Sequence, residues 1–149
     1  MVLDWRLMVQ KKSKKVLIIY SDFYPEISAN LINGAESYLN SNNIFFDKIR
    51  VDGSLEIPFL LHKFQNDYLG FIVLGCVVKG KTDHYDIVKD ISMNEIYSLV
   101  YKKVIPLGSA ILTVNNFKQA VERSDIKKKN FGGKAAMVCC NLIKTLNLK

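Results

Sequence analysis

The stretch LGFIVLGCVV, residues 69–78, is the most apolar run of the chain and decides the fold. A short, continuous apolar run of this kind is typical of a buried strand, and we take it as the central strand of a sheet. The polar turn KGKTD, residues 79–83, follows it, and a long helix is predicted from about residue 84 to 102. The second apolar, β-branched run, VLIIY at residues 16–20, predicts another strand buried on both faces.

Strands and helices alternate along the rest of the chain. Further strands are predicted over residues 44–51 and 105–113, and helices over residues 25–39, 56–64 and 131–147, with a short helix capped by Asn115 or Asn116 and reaching about residue 123. Such alternation indicates βαβ units and a parallel sheet. We therefore predict an α/β fold, a three-layer α/β/α sandwich with a flavodoxin-like parallel sheet of four strands. Residues 16–149 form the domain, and residues 1–15 an N-terminal arm.

The composition is that of one folded domain. The 149 residues, 49% hydrophobic, can bury a core, and no apolar run approaches the ~20 residues of a membrane span, so we expect no membrane association. The net charge of +7 raises the question of nucleic acid. However, the lysines cluster at residues 11–15 and 127–129 without interleaved aromatic residues for base stacking, so we expect no nucleic-acid partner. The charge indicates a solvated surface or, alternatively, a field that attracts phosphorylated small molecules.

The cysteines are an odd set of three, Cys76, Cys139 and Cys140. Neither a CxxC motif nor a Cys/His metal spacing occurs, so no metal site is predicted. This usage fits a reducing cytosol and predicts a cytoplasmic protein. The three thiols are expected to be buried small hydrophobes.

Folds of this class bind ligands beyond the carboxyl ends of their strands, at the switch point between the first and third strands. The loop at residues 79–84 joins the central strand to a helix N-terminus, where free N–H groups attract anions. Gly80 allows close approach of a ligand, and Lys81 and Thr82 add a charge and a hydroxyl. The alternative is a tight turn capped by Thr82 or Asp83. The P-loop pattern is absent.

Four further side chains are candidates. His84 begins the helix, where the dipole favours neutral imidazole, and is either a proton shuttle or a surface histidine. Arg123 either grips a phosphate or is a solvated cation at a helix end. Phe23 either stacks on a flat heterocycle or packs in the core, and Glu56 either accepts hydrogen bonds from a polyol or favours a helix start. For His62, a surface role is expected. These residues indicate a ligand-binding α/β domain that handles a phosphate.

Four motifs in order resemble the lumazine synthase family: DF at residues 22–23, GSLEIP at 53–58, GCVVKGKTDHYD at 75–86 and KQAVER at 118–123. The third motif is highly specific, and the match runs from about residue 16 to the C-terminus. The resemblance implies condensation of 5-amino-6-ribitylaminouracil with 3,4-dihydroxy-2-butanone 4-phosphate, without metal or organic cofactor. It places Phe23 on the pyrimidine and His84 as proton shuttle. It implies that Ser54, Leu55 and Glu56 bind the ribityl chain and that Val77 and Val78 line the ring pocket. It also implies that Lys81, Thr82 and Arg123 hold the phosphate.

The resemblance also implies a homo-oligomer of pentamers, with each site shared between neighbours and the N-terminal arm pairing with an adjacent sheet. Three positions depart from the family pattern. Ser109 replaces a phenylalanine contributed across the interface, Leu55 replaces a common phenylalanine, and Phe131 replaces a lysine near the ligand. Lys127, Lys129 or Lys134 are candidates to compensate for that lysine. The alternatives to an active enzyme are a weakly active or inactive paralogue and a flavodoxin-like flavin-binding protein.

Overall fold

The computed structural model describes residues 13–80 and 83–148. Its strands are β1 (Val16–Ser21), β2 (Phe46–Val51), β3 (Gly70–Val78) and β4 (Leu107–Val114). All neighbouring strands are parallel, in the order β2-β1-β3-β4. The predicted four-stranded parallel sheet is therefore confirmed. β2 lies on one side of β1, whereas β3 and then β4 lie on the other side. The direction of strand addition therefore reverses between β1 and β3, which is the predicted switch point.

Helices cover both faces of the sheet. They are α1 (Pro25–Ser41), α2 (Ile57–Phe64), α3 (His84–Lys103), α4 (Phe117–Ser124) and α5 (Phe131–Thr145), and a 3-10 turn (Ser54–Glu56) precedes α2. Successive residues of β1 pack into two separate hydrophobic cores, because the side chains of a strand alternate between the two faces of the sheet. Val16 and Ile18 join the core under α1 and α5, whereas Leu17 and Ile19 join the core under α2 and α3. The predicted three layers are confirmed.

Two glycines allow α5 to approach its neighbours at backbone distance. A Cβ added to Gly108 on β4 would stand 1.7 Å from the carbonyl oxygen of Ala135. One added to Gly132 would stand 2.1 Å from the carbonyl oxygen of Leu31 on α1. Both contacts are with main-chain atoms, so α5 can lie against β4 and α1 only where side chains are absent. This packing fixes the position of the α4–α5 connection.

β2 and β4 each begin two residues later than predicted. Ile44 is not in β2, because its N–H donates to the carbonyl of Leu39 (2.9 Å) and closes the end of α1. Ile105 does the same for α3 by donating to the carbonyl of Val100 (3.1 Å). Both isoleucines pack on the cores from these capping positions. An apolar side chain beside the C-terminus of a helix is part of the cap, and it resembles the first residue of a strand.

Most of the predicted arm, residues 1–15, lies outside the described residues. At its end, the N–H of Ser13 donates to the carbonyl of Asp67 (2.7 Å). In the ranges 13–80 and 83–148, every helix is too short or too polar to cross a membrane.

Candidate functional site

A cavity of about 350 Å³ lies at the carboxyl ends of β1, β2 and β3, where the switch point predicts a ligand. The loops that follow these three strands contribute to it. The predicted site residues that line it are Phe23, Ser54, Leu55, Glu56, Val77, Val78 and His84. Residues distant in sequence are thus brought together by the parallel order of the strands.

Phe23 forms an exposed aromatic shelf over the cavity. Its side chain is 69% exposed, so the alternative of a core phenylalanine is wrong. The ring meets Tyr24 edge to face, with centroids 5.0 Å apart, and Tyr24 in turn lies 6.1 Å from the ring of Phe117 on α4. Tyr24 also packs on the core under α1. Because edge-to-face pairs have a preferred geometry, the second ring orients the first and leaves its face open.

The loop after β2 forms the second wall. Ser54 is buried, and its Oγ lies 2.9 Å from where a Cβ on Gly75 would stand. The carboxylate of Glu56 folds back over the loop, with Oε2 3.1 Å from the Cβ position of Gly53. The two glycines therefore make room for the hydroxyl and the carboxylate. The resulting wall presents hydrogen-bonding oxygens to the cavity.

His84 is the first residue of α3 and lines the cavity together with Tyr85 and Val88. Asp83 occupies the N-cap position, as one of the alternatives predicted, although its side chain forms no capping hydrogen bond. Gly80 also lines the cavity, and a Cβ added there would meet no atom of residues 13–80 and 83–148 within 4 Å. Lys81 and Thr82 lie outside the described residues.

Arg123 and Ser109 do not line this cavity. Arg123, near the end of α4, donates from Nη1 to the carbonyl of Thr113 on β4 (3.5 Å). Ser109 is partly buried within β4 and pairs with Val73 of β3. Within one chain, these two residues are therefore separate from the cavity that holds His84.

The departure at Phe131 lies at the start of α5. Lys134 places its ammonium 5.3 Å from the centre of the Phe131 ring, within the range of a cation–π contact. A positive charge therefore stays beside the position where the family pattern has lysine. Of the other two candidates, Lys129 lies 4.0 Å from Glu122, at the limit of an ion pair.

Cavity residues to which no role in binding or catalysis was assigned from the sequence are Ser21, Tyr24, Asp52, Gly53, Cys76, Tyr85 and Val88. Val88 stands one helical turn after His84, so its spacing was a usable signal.

Burial raises the pKa of the Cys76 thiol to about 11. All three cysteines are free and buried, as predicted, and Cys76 contributes an apolar surface rather than a thiolate. The expected surface role of His62 also agrees with its half-exposed position, 3.9 Å from Glu95.

One arginine joins two of the cavity loops. Arg50 on β2 places Nε 2.8 Å from Oδ2 of Asp22 and Nη1 2.9 Å from Oδ1 of Asp52. Asp22 precedes the aromatic shelf, whereas Asp52 itself lines the cavity. The hydrogen bond from Arg50 holds the pKa of Asp22 below its usual range. One guanidinium therefore donates to side-chain oxygens of two different cavity loops.

Comparison with known proteins agrees with this geometry. Residues 13–147 match the family model described as 6,7-dimethyl-8-ribityllumazine synthase. A 6,7-dimethyl-8-ribityllumazine synthase of Bartonella tribocorum is 40% identical over 129 residues, which are 85% of each chain. The enzyme of Agrobacterium fabrum is 38% identical, covering 88% of this chain and 95% of its own, and that of Wigglesworthia glossinidia brevipalpis is 36% identical over 94% and 95%. With a match of this extent to both the family model and its members, the chain belongs to the 6,7-dimethyl-8-ribityllumazine synthase family.

Proposed function

We propose that this protein is a 6,7-dimethyl-8-ribityllumazine synthase, a transferase of riboflavin biosynthesis. It condenses 5-amino-6-ribitylaminouracil with 3,4-dihydroxy-2-butanone 4-phosphate and releases phosphate and water. The observation that carries the proposal is the cavity at the β1–β3 switch point, where an open aromatic ring, a polar loop and a helix-terminal histidine meet. Membership of the family supplies the reaction.

The pyrimidine substrate fits the part of the cavity that one chain forms. Phe23 stacks on the ring, while Val77 and Val78 form its apolar wall. Ser54, Leu55 and Glu56 bind the ribityl chain, with the Glu56 carboxylate accepting hydrogen bonds from its hydroxyls. The exposure of Phe23 and the inward position of Ser54 support this assignment.

The phosphate of the second substrate is bound by Lys81, Thr82 and Arg123. The turn before α3 supports the first two, because the helix N-terminus there favours an anion. Arg123 and Ser109 lie outside the cavity of their own chain. They act on the cavity of a neighbouring chain, so the complete site lies between subunits of a homo-oligomer built of pentamers.

His84 moves protons during the condensation. The amine attacks the ketone to give an imine, phosphate leaves, the ring closes and water is lost. These steps need proton transfers and oriented reactants, and they require neither a metal nor an organic cofactor. His84 lines the cavity beside Tyr85, at the loop that carries the phosphate ligands.

The protein works in the cytoplasm. The free, buried cysteines support this placement, because such thiols persist in a reducing compartment.

Absorbance at the lumazine band tests the function after purified protein is mixed with both substrates. The expected result is formation of lumazine much faster than in an enzyme-free control. A rate equal to the uncatalysed reaction would overturn the proposal and identify an inactive relative with the same fold. Sedimentation analysis of the same sample tests the assembly, because a monomer is incompatible with a shared site.

A further inference from the structure

We infer that Arg50 is a positioning residue that clamps two walls of the cavity, the aromatic shelf and the ribityl loop, in the orientation that accepts the pyrimidine. The inference rests on the proposed function for its kinetic consequence. Its structural basis is the pair of contacts from one guanidinium to Asp22 (2.8 Å) and to Asp52 (2.9 Å).

The two carboxylates belong to different loops. Asp22 lies between the end of β1 and the shelf residue Phe23, and Asp52 lies between the end of β2 and Gly53. A guanidinium carries its donors in a fixed planar fork, so the position of one carboxylate restricts that of the other. Arg50 itself is on β2, which is held in the sheet by β1. The clamp thus fixes the positions of both loops relative to strand β2.

The clamp acts on binding rather than on chemistry. Arg50 does not line the cavity, whereas Asp52 does. Without Arg50, two neighbouring anions would repel one another and the loops would separate. The pyrimidine uses both loops, through Phe23 and Glu56, so it would bind less tightly. His84 begins α3, outside the two loops that the clamp joins, so we expect its part in the chemistry to be retained.

Lys48 offers a matched control on the same strand. It lies two residues before Arg50, on the same face of β2, and forms an ion pair with Glu36 of α1. Its side chain is 41% exposed, against 51% for Arg50. Lys48→Met therefore removes an ion pair from the same strand that does not reach the cavity loops, although the Glu36 oxygen that loses its partner is buried.

The experiment compares the wild type, Arg50→Met, Arg50→Lys and Lys48→Met. For Arg50→Met, we expect KM for the ribitylaminouracil to rise about three- to tenfold, the range that two exposed ion pairs supply, with kcat within about twofold of wild type. Arg50→Lys should recover part of the loss, and Lys48→Met should match wild type. Raising the salt from about 0.05 to 0.5 M should raise KM for wild type but not for Arg50→Met, because exposed pairs are screened.

Hydrogen exchange of the free protein gives a readout that does not depend on activity. Amides of residues 22–24 and 52–56 should exchange faster in Arg50→Met than in wild type and Lys48→Met. Unchanged exchange in both loops would overturn the clamp, as would an unchanged KM in an active enzyme. If the wild type makes no lumazine, the proposed function fails, and the exchange comparison alone decides the clamp.

Discussion

The guanidinium of Arg123 donates a hydrogen bond to the main-chain oxygen of Thr113, 3.5 Å away, at the carboxyl end of β4. This contact turns a helix-terminal cation toward the edge of the sheet at which the cavity opens, although Arg123 does not line the cavity of its own chain.

Replacing this cation should affect one substrate selectively. In Arg123→Ala, KM for the butanone phosphate should rise by roughly 10- to 100-fold, as expected for loss of a charged hydrogen bond, with little change for the pyrimidine. Arg123→Lys should recover less than the full affinity, since it cannot bind two phosphate oxygens at once. Steady-state kinetics with each substrate varied in turn measures both effects. Equal losses for the two substrates would remove the phosphate assignment.

Mixing two damaged chains should restore activity. If His84 and Arg123 serve a site from different subunits, chains carrying His84→Ala and Arg123→Ala form some sites with both side chains intact. After random mixing in equal amounts, about a quarter of all sites in a ring with equivalent interfaces should have both side chains intact. The measurement is turnover after the two variants are refolded together, compared with each refolded alone. Activity no greater than the mean of the two would show that the residues act within one chain or that His84 is not required.

His84→Ala should slow turnover while leaving the assembly intact. A positioned proton shuttle contributes roughly 10²- to 10⁴-fold, so we expect a fall in kcat of about 10²-fold, at the lower end of that range. His62→Ala is the matched control, because His62 is the other histidine of the chain and lies on the surface of α2. Stopped-flow absorbance and sedimentation report the two properties separately. An unchanged kcat in His84→Ala would show that protons move by another route.

Gly108→Ala should be severely destabilising. Its new methyl group would meet the carbonyl of Ala135 at 1.7 Å, and a backbone atom cannot move aside without shifting α5. We expect a loss of about 2–3 kcal/mol or more in the free energy of unfolding, as for an overpacked core. Gly80→Ala introduces the same group where no atom of the described part of the chain lies within 4 Å, so its stability should be near wild type. Urea denaturation compares the two, and similar midpoints would contradict the close packing of α5.

Stability should fall as the pH rises above about 8.5, the ordinary pKa of a cysteine in an unfolded chain. Burial raises the pKa of Cys76 to about 11 and also raises that of Cys139, so the folded state keeps protons that the unfolded state releases. This contribution is complete below about pH 8.5 and is lost toward pH 11. Denaturation at several pH values measures the slope. Cys139→Ala should reduce the slope even if it lowers stability at pH 7, and an unchanged slope would indicate that Cys139 titrates normally.

The layered fold was predictable because β1 and β3 are apolar along almost their whole length. The run around Ile72 can only be buried on both faces, and each strand is followed by a helical pattern. Strand starts were less predictable. Ile44 and Ile105 are apolar because they cap helices against the core, and hydrophobicity alone does not distinguish that role from a strand.

Part of the site was predictable from position alone. Phe23 lies in the loop after β1, and His84 begins the helix that follows β3, so topology places both near the switch point. The orientation of the Phe23 ring depends on its contact with Tyr24. Tyr24 in turn contacts Phe117 on α4, and this contact between distant segments is not visible in the sequence. The pairing of Asp22 with Arg50 joins residues 28 positions apart, and no local pattern in a single sequence encodes it.

The cavity walls and the residues proposed to reach a neighbouring subunit come from different parts of the sequence. The walls of the cavity come from residues 21–88, whereas Arg123 and Ser109 belong to the segment that follows α3. On the proposed assignment, substitutions in the later segment change how one subunit binds the phosphate in its neighbour's site, whereas Leu55 is a departure within the pyrimidine pocket itself. Two of the three departures from the family pattern, Ser109 and Phe131, fall in that later segment. Exchanging the segment that follows α3 for the matching segment of a relative should therefore transfer phosphate affinity separately from pyrimidine affinity.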